Sequence, residues 1–240
     1  MIKEIFYIIM KGFFMRPKIL YEDNSIIVCH KPAGYASQSD RSFHEDMVSF
    51  LKKHLAKELR RNSSSQQEPY LGIIHRLDKP VSGILVYAKN KKAAASLSLQ
   101  VQGSSSEKMQ KKYHATVHGK LETPDFFTLT NELLFDKKKN ISYILENKTP
   151  QSKTAILKYR TLRTYQNESG EDLTDLDILL LTGRHHQIRA QLSHLGYPIV
   201  GDNKYGTLDD SKIPLCLCAY SLTFVHPDTK KLISFSLDGM

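Results

Sequence analysis

The sequence predicts an α+β fold in which helices flank a mixed, mainly antiparallel central sheet. Three observations support this prediction. With 240 residues, of which 40% are apolar, the chain is long enough to bury a substantial core. Segments of β-type composition outnumber helical segments, and their irregular spacing differs from the regular strand and helix alternation of a doubly wound parallel sheet.

The first predicted strand covers residues 25–30, where three β-branched residues follow one another. Residues 31–34 (KPAG) end this strand with turn chemistry, and we expect the turn to expose Lys31.

The first predicted helix follows a capping-box pattern at residues 42–45. Its apolar positions recur at four-residue spacing, at Met47, Leu51, Leu55 and Leu59. Its outer face carries Lys52, Lys53, Lys57, Arg60 and Arg61. An ordinary solvated face is the simpler interpretation of these charges, and a surface for an anionic polymer is the alternative.

The next elements are a strand at residues 83–88 and a helix at about 91–101, for which Asn90 is the predicted cap. Polar loops are predicted on either side, at residues 62–68 and 102–108. Further β-type segments cover residues 112–119, 155–162, 177–181, 215–225 and 232–237.

The charge balance favours an anionic partner, because Lys and Arg outnumber Asp and Glu by 34 to 25 and the formal net charge is +9. A basic but well-solvated surface is a comparable explanation. Three cysteines cannot form a disulfide framework, so we expect a reducing, cytoplasmic compartment. The apolar run at residues 5–10 is too short to span a membrane, and we expect no membrane association.

Residues 75–83 (HRLDKPVSG) place charged side chains between a polar loop and an apolar strand, where functional side chains are common. Asp78 is the candidate carboxylate in this segment. Taken alone, the segment is better explained by a turn that Asp78 initiates and whose charge Arg76 neutralises. Tyr113, on the strand at 112–119, is similarly either a core residue or a functional one.

At residues 181–189 a strand breaks and a helix begins, with Ile188 on its apolar face. Arg189 follows Ile188 and lies about 100° round the helix from it, at the border of the buried stripe. An arginine in that position either reaches water or meets a buried carboxylate.

Together these segments resemble the RluA-type family of RNA pseudouridine synthases. Residues 75–83 resemble the catalytic motif of the family, residues 31–34 its upstream motif, and the strand that contains Lys112 and Tyr113 its tyrosine motif. Residues 182–189 (TGRHHQIR) and 196–206 (GYPIVGDNKYG) resemble its third motif. Four blocks in the same order are specific, whereas any one of them is weak.

The resemblance implies a pseudouridine synthase catalytic-domain fold and a cofactor-independent isomerase that needs no metal. Asp78 would be the catalytic carboxylate, Tyr113 the aromatic residue beside the flipped uracil, and Arg189 an ion-pair partner in direct contact with Asp78. Arg76 would enter the RNA stack. The implied phosphate contacts are Lys31, Lys79, Arg184 and Lys204, and the implied uracil pocket contains Ile188 and Leu217. The partner would be tRNA or rRNA, with no obligate protein partner.

The sequence departs from the family pattern in two places. Val81 occupies a position where many relatives have threonine, and the polar insert before the tyrosine motif is lengthened, which leaves the RNA specificity open. The upstream motif begins at residue 31, so we expect no separate N-terminal RNA-binding domain. The expected organisation is an N-terminal extension at residues 1–14, followed by a single catalytic domain at 15–240.

Three alternatives stay open at this point. The first is an inactive RNA-binding protein of the same fold. The second is a phosphoryl-transfer enzyme with Asp78 as nucleophile, although no second carboxylate or glycine-rich phosphate loop accompanies it. The third is a zinc hydrolase built on His185, His186 and the cysteines, which is disfavoured because adjacent histidines are expected to point about 100° apart on a helix.

Overall fold

The computed structural model describes residues 16–38, 45–62, 68–103, 108–206 and 213–237, without the side chains of residues 61 and 62. The described residues form two compact units. Unit 1 takes its residues from Met1–Met109 and Ser221–Gly239, and unit 2 from Gln110–Tyr220. The predicted extension at residues 1–14 lies outside the described residues, and the single domain at 15–240 stays a prediction.

The described part of the chain contains three helices and eleven strands. In chain order they are β1 (Lys18–Glu22), β2 (Ile26–Lys31), α1 (Met47–Asn62), β3 (Gly72–Ile73), β4 (Ser82–Ala88), α2 (Lys91–Gln102), β5 (Gln110–His118), β6 (Phe127–Asp136), β7 (Ile141–Leu145), β8 (Lys153–Gln166), β9 (Asp172–Leu180), α3 (Gln187–His194), β10 (Leu217–Val225) and β11 (Leu232–Ser236). Among the described residues, no helix is long and apolar enough to cross a membrane.

Unit 1 is a sheet packed against α2. β2 pairs antiparallel with β1 and β4, while β3 pairs with β4 and β11 with β10. The core is formed by apolar side chains of β2, β4, α2 and β10, among them Val28, Val86, Leu97 and Phe224. Burial of these side chains provides the main favourable free energy for this packing.

The two helices in the described part of unit 1 begin at identifiable caps. Asn90 caps α2 as predicted, because its side chain accepts a hydrogen bond from the Ala93 amide. The start predicted for α1 is wrong. That helix begins at Met47, and the Asp46 carboxylate accepts a 2.7 Å hydrogen bond from the Ser49 amide. The residues of the capping-box pattern before Glu45 lie outside the described part of the chain.

Unit 2 is an antiparallel sheet in the strand order β5, β9, β8, β6, β7. The interior is formed by alternating residues of the central strands, such as Ala115, Val117, Leu157 and Ile178, none of which is exposed. The antiparallel pairing agrees with the predicted fold class, although β1, β3, β6 and β7 were not predicted. Helix α3 begins at Gln187, later than predicted, and ends close to its predicted limit, with Gly196 at φ +91° just beyond it.

Candidate active site

Residues 75–81 of unit 1 lead into β4 without regular secondary structure. Side chains in this segment differ in burial from one residue to the next. His75 and Leu77 are buried, Arg76 and Lys79 are exposed, and Asp78 is half-buried. The segment therefore displays two cations and one carboxylate on a backbone that is fixed by its buried neighbours.

Ser37 holds the backbone of this segment at Leu77. The Ser37 hydroxyl donates to the Leu77 carbonyl at 2.7 Å and accepts from the Leu77 amide at 3.0 Å. On the other side of Asp78, the Gly34 amide donates to the Lys79 carbonyl at 2.8 Å. The predicted turn at residues 31–34 therefore has a structural function, since it fixes the position of the chain around Asp78.

Lys31 is fully buried, so the prediction that the turn exposes it is wrong. Its ammonium group donates to the carbonyls of Pro32 at 3.1 Å, Tyr35 at 2.8 Å and Lys79 at 3.2 Å. Carbonyl acceptors compensate the desolvation of a buried cation. Lys31 therefore supports the candidate site from inside unit 1, and its predicted role as a phosphate contact is withdrawn.

His30 precedes Lys31 and is also buried. Burial, together with the charges of Lys31 and Lys18, lowers the pKa of His30 to about 4. The imidazole is therefore neutral at pH 7.

Tyr113 lies in unit 2 on β5, opposite Ile178 of β9, with only 6% of its surface exposed. Ile188 and Leu217, the predicted pocket residues, are each 5% exposed. Strand alternation places Lys111 on the same face as Tyr113. Burial lowers the pKa of Lys111 to about 8.

Arg189 meets a buried carboxylate, which was one of the two outcomes that its helical position predicted. Its Nε donates to Asp202 Oδ2 at 2.7 Å and its Nη2 to Asp202 Oδ1 at 2.6 Å. The side chains are 3% and 0% exposed, respectively. Two parallel, charge-assisted hydrogen bonds fix the guanidinium in one orientation.

The loop that contains Asp202 is shaped for this contact. Gly201 adopts φ +78°, and a Cβ atom there would overlap the backbone of Pro214. Asp202 Oδ1 also accepts from the amides of Lys204 and Tyr205 at 3.0 and 3.1 Å. Sequence reasoning included this Gly-Asp pair in the third motif but gave Asp202 no role.

His185 and His186 precede α3, so the expectation that they point about 100° apart on a helix is wrong. His186 has φ +50°, and the two rings are tilted by 31° with their centroids 3.7 Å apart. His185 Nδ1 lies 3.2 Å from the Ser142 hydroxyl, and His186 Nδ1 lies 3.0 Å from the Tyr205 hydroxyl. Burial and the neighbouring cations, Arg189 first, lower the pKa of His186 to about 3.

Among the described residues, no three His, Cys, Asp or Glu side chains are grouped in a way that could hold a metal ion. The remaining predicted RNA contacts are exposed in their own units. Arg76 and Lys79 lie on unit 1, and Arg184 and Lys204 on unit 2. Asp78 belongs to unit 1 and Arg189 to unit 2, and their direct contact stays a prediction.

The chain belongs to the RNA pseudouridylate synthase family, since the sequence model of that family matches residues 25–194. Among its relatives is the ribosomal large subunit pseudouridine synthase C of Buchnera aphidicola subsp. Baizongia pistaciae, 35% identical over 92% of this chain and 67% of the relative. The dual-specificity RNA pseudouridine synthase RluA of Vibrio vulnificus is 32% identical over 90% of this chain and 81% of the relative. The predicted family resemblance is thereby confirmed.

Solved structures confirm the predicted fold. The human RNA Pseudouridylate Synthase Domain Containing 4 protein aligns with a TM-score of 0.68 at 19% identity, covering 99% of this chain and 93% of that protein. The chain is shorter than several of its relatives. It spans 64% and 60% of the length of two other ribosomal large subunit pseudouridine synthases.

Proposed function

We propose that the chain isomerises specific uridines in structured RNA, either tRNA or rRNA, to pseudouridine, with Asp78 as the catalytic carboxylate. The observation that carries this proposal is the family match over residues 25–194, which spans the segments of Asp78, Tyr113 and Arg189. Two relatives at 35% and 32% identity are named as pseudouridine synthases, one for the large ribosomal subunit and one with dual specificity.

The reaction is an isomerisation, and its atoms balance without a co-reactant. The bond between ribose C1′ and uracil N1 breaks, the base turns in the site, and C1′ is joined to C5. The proton of C5 is lost and N1 carries one in the product. The enzyme therefore needs a carboxylate that acts as nucleophile or base, and a polar site that stabilises the charge developing when the glycosidic bond breaks.

Asp78 is suited to this task by the rigidity of its segment. The residues on both sides are held through their backbone carbonyls, Leu77 by Ser37 and Lys79 by Lys31. A fixed backbone keeps the carboxylate in position for attack, which supplies part of the rate enhancement as orientation.

The uracil must leave its stack before it reaches a carboxylate, which costs a few kcal/mol. We propose that the exposed Arg76 enters the space left in the RNA and that Lys79, Arg184 and Lys204 contact phosphates. Stacking on Tyr113 recovers about 1–3 kcal/mol per base. Ile188 and Leu217 would provide apolar walls for the everted base.

We propose that Arg189 contacts the carboxylate of Asp78 directly. A guanidinium has five N–H donors in a planar fork, so one such group is able to contact two carboxylates. The bidentate contact with Asp202 engages its Nε and Nη2. The Asp202 contact would therefore set the direction in which the guanidinium faces Asp78.

The direct test is the Asp78→Asn variant, which keeps the size of the side chain but cannot act as a nucleophile. Unmodified tRNA and rRNA from a strain that lacks this gene would be incubated with each protein, and pseudouridine mapped by carbodiimide primer extension. We expect conversion by the wild type and a loss of about a thousandfold or more in the variant. The exposed Asp125→Asn variant is the matched control and should convert uridine at the wild-type rate.

Two results would contradict the proposal. Conversion by Asp78→Asn at the wild-type rate would remove Asp78 from the mechanism. Tight RNA binding by the wild type, without pseudouridine in any RNA tested, would instead favour an inactive RNA-binding protein.

The Tyr113→Phe variant separates the two contributions of Tyr113. Its ring still stacks on a base, but the hydroxyl is lost. We expect RNA affinity within about threefold of the wild type and a larger loss of turnover, since stacking depends on the ring. Equal losses of affinity and turnover would argue against a role for the hydroxyl in the reaction.

A further inference from the structure

The turn between β6 and β7 concentrates positive charge. It contains Lys137, Lys138, Lys139 and Asn140, which we call the lysine turn, and all four residues are exposed. The ammonium group of Lys204 adds a fourth cation, because it donates to the Asn140 carbonyl at 3.0 Å. Four lysines and one neighbouring carboxylate, Asp136, leave a net charge of +3 at this end of the hairpin.

The lysine turn has a defined backbone. Asp136 Oδ1 accepts from the amides of Lys138 and Lys139 at 2.9 and 3.1 Å, which is a local Asx turn. Asn140 adopts φ +53°, a left-handed conformation that asparagine tolerates. The three lysines are therefore presented together by an ordered turn, and a ligand would not need to order the backbone.

Carboxylates do not neutralise the lysine turn. Within the described part of the chain, no carboxylate lies within ion-pair distance of the three ammonium groups. The basic face of α1 differs, because Lys52 is paired with Glu68 at 2.6 Å and Lys53 with Glu45 at 2.7 Å. Neighbouring like charges repel one another, and an anionic ligand would relieve this repulsion.

The hairpin is joined to the third-motif segment within unit 2. The Phe135 ring packs on the His185 ring with centroids 4.0 Å apart, and the Ser142 hydroxyl donates to the His185 carbonyl at 2.7 Å. The Ser142 amide donates to the Tyr205 hydroxyl at 2.7 Å. The position of the lysine turn is thereby fixed relative to Arg184, one of the proposed phosphate contacts.

Exposed aromatic surface lies next to these cations. Tyr143 is 39% exposed, and the Lys139 ammonium lies 5.9 Å from the centroid of its ring. Cations interleaved with accessible rings are typical of surfaces that bind nucleic-acid backbone and unpaired bases.

We propose that the lysine turn, together with Lys204, is a docking surface for the phosphodiester backbone of the substrate RNA outside the target nucleotide. This inference rests on the proposed function for the identity of the RNA. Phosphate contacts of this kind carry no base information, so the surface contributes affinity and register rather than the choice of uridine.

The test compares two triple variants that remove the same charge. The first is Lys137→Gln with Lys138→Gln and Lys139→Gln. The control is Lys53→Gln with Lys57→Gln and Arg60→Gln on the exposed face of α1. Binding of a fluorescein-labelled stem-loop RNA would be measured by anisotropy over a series of KCl concentrations, and pseudouridine formation on unmodified total RNA would be followed in parallel.

Each released counterion changes the slope of log affinity against log salt by about 0.7–0.9. We expect the lysine-turn variant to lower the magnitude of this slope by about 2 and to weaken binding by at least about tenfold at low salt. The control should change both quantities much less. In the pseudouridine assay, the lysine-turn variant should have a higher KM for RNA than the wild type and a similar kcat.

A lysine-turn variant with wild-type affinity and salt slope would overturn the inference, as would equal losses in the two triple variants. If the wild type forms pseudouridine while the lysine-turn variant binds like the wild type, only this inference fails. If RNA binding depends on the lysine turn but no pseudouridine forms, the docking surface stands and the proposed function fails.

Discussion

Lys31 in unit 1 and Arg189 in unit 2 are both buried cations, yet their partners differ. Lys31 donates to three backbone carbonyls, whereas Arg189 forms a bidentate ion pair with Asp202. The carbonyls belong to the turn and to the segment of Asp78, so Lys31 joins two pieces of backbone. Asp202 lies on one loop, so its contact fixes the orientation of one side chain.

The two units therefore support their proposed functional groups in opposite ways. In unit 1 a buried cation organises the backbone, and the proposed catalytic carboxylate is carried on it. In unit 2 a buried carboxylate organises the cation that is itself proposed to act. A buried histidine accompanies each cation. His30 precedes Lys31 in the sequence, His186 lies near Arg189, and the pKa of each histidine is lowered.

The largest expected effect comes from removing the charge of Asp202. Asp202→Asn leaves the buried Arg189 guanidinium without its counter-charge, and breaking a buried ion pair in this way costs about 3–5 kcal/mol. The free energy of unfolding would be measured by urea titration, with the exposed Asp125→Asn variant as control. If Asp202→Asn lowered the free energy of unfolding no more than the control does, the Arg189–Asp202 ion pair would not be what stabilises the loop that contains Asp202.

Lys31→Met is expected to have the next largest effect. Methionine replaces the stem of the lysine but not its donors, so three carbonyls lose a hydrogen bond while a buried charge is also removed. The two effects partly cancel, and we expect a net loss of about 2–3 kcal/mol in the same urea titration. The exposed Lys92→Met variant is the control. A stabilised Lys31→Met protein would contradict the proposed support of the Asp78 segment.

Lowering the pH should act on both regions through their histidines. Both imidazoles titrate near 6.5 in the unfolded chain but only near 4 (His30) and 3 (His186) in the folded chain. Below about pH 6.5 the unfolded state therefore binds protons that the folded state does not, and stability falls as the pH is lowered. For each histidine, the free energy of unfolding falls by at most about 1.4 kcal/mol per pH unit.

Urea titrations at about pH 7 and about pH 5 would measure the loss of free energy of unfolding between these two pH values. Because both histidines have partial access to solvent, we expect this loss to be about 1–2 kcal/mol per histidine. His186→Asn keeps a polar group near the Tyr205 hydroxyl but does not titrate in this range. Its stability should therefore fall less steeply with pH than that of the wild type. An identical pH dependence would remove His186 as a cause.

The smallest expected effect is that of Tyr205→Phe. The Tyr205 ring, whose centroid lies 5.2 Å from the Arg189 guanidinium carbon, is retained. The hydroxyl that accepts from the Ser142 amide is lost. We expect a loss of about 1 kcal/mol, together with faster hydrogen exchange of the Ser142 amide. Unchanged exchange would show that this hydroxyl does not hold the β6–β7 hairpin in place.

Much of the fold could be predicted where hydrophobic periodicity is strong. The strand at β2, the helix α2 with its Asn90 cap and the helix α3 all follow from local pattern. The β6–β7 hairpin was missed because most of its side chains are exposed or only partly buried, so its sequence does not alternate clearly between apolar and polar residues.

The candidate site could be predicted as a set of residues but not as a set of contacts. The position of Arg189 on its helix predicted a buried carboxylate as one of two outcomes, yet periodicity contains no information about a partner on a loop 13 residues further along. Lys31 was misjudged for a related reason. A turn sequence indicates where the chain reverses, whereas the burial of a long side chain depends on distant carbonyls such as that of Lys79.

The chain connectivity of unit 1 has a consequence for biosynthesis. Gln100 exchanges two hydrogen bonds with the backbone of Val225, and His226 contacts Asp23 across 203 residues of sequence. Unit 2 lies between these partners as one continuous stretch. On a translating ribosome, Asp23 and Gln100 of unit 1 therefore have to wait for residues 225 and 226, which are synthesised after residues 110–220. The non-local contacts of unit 1 are accordingly expected to form late in folding, after contacts between residues that are close in sequence.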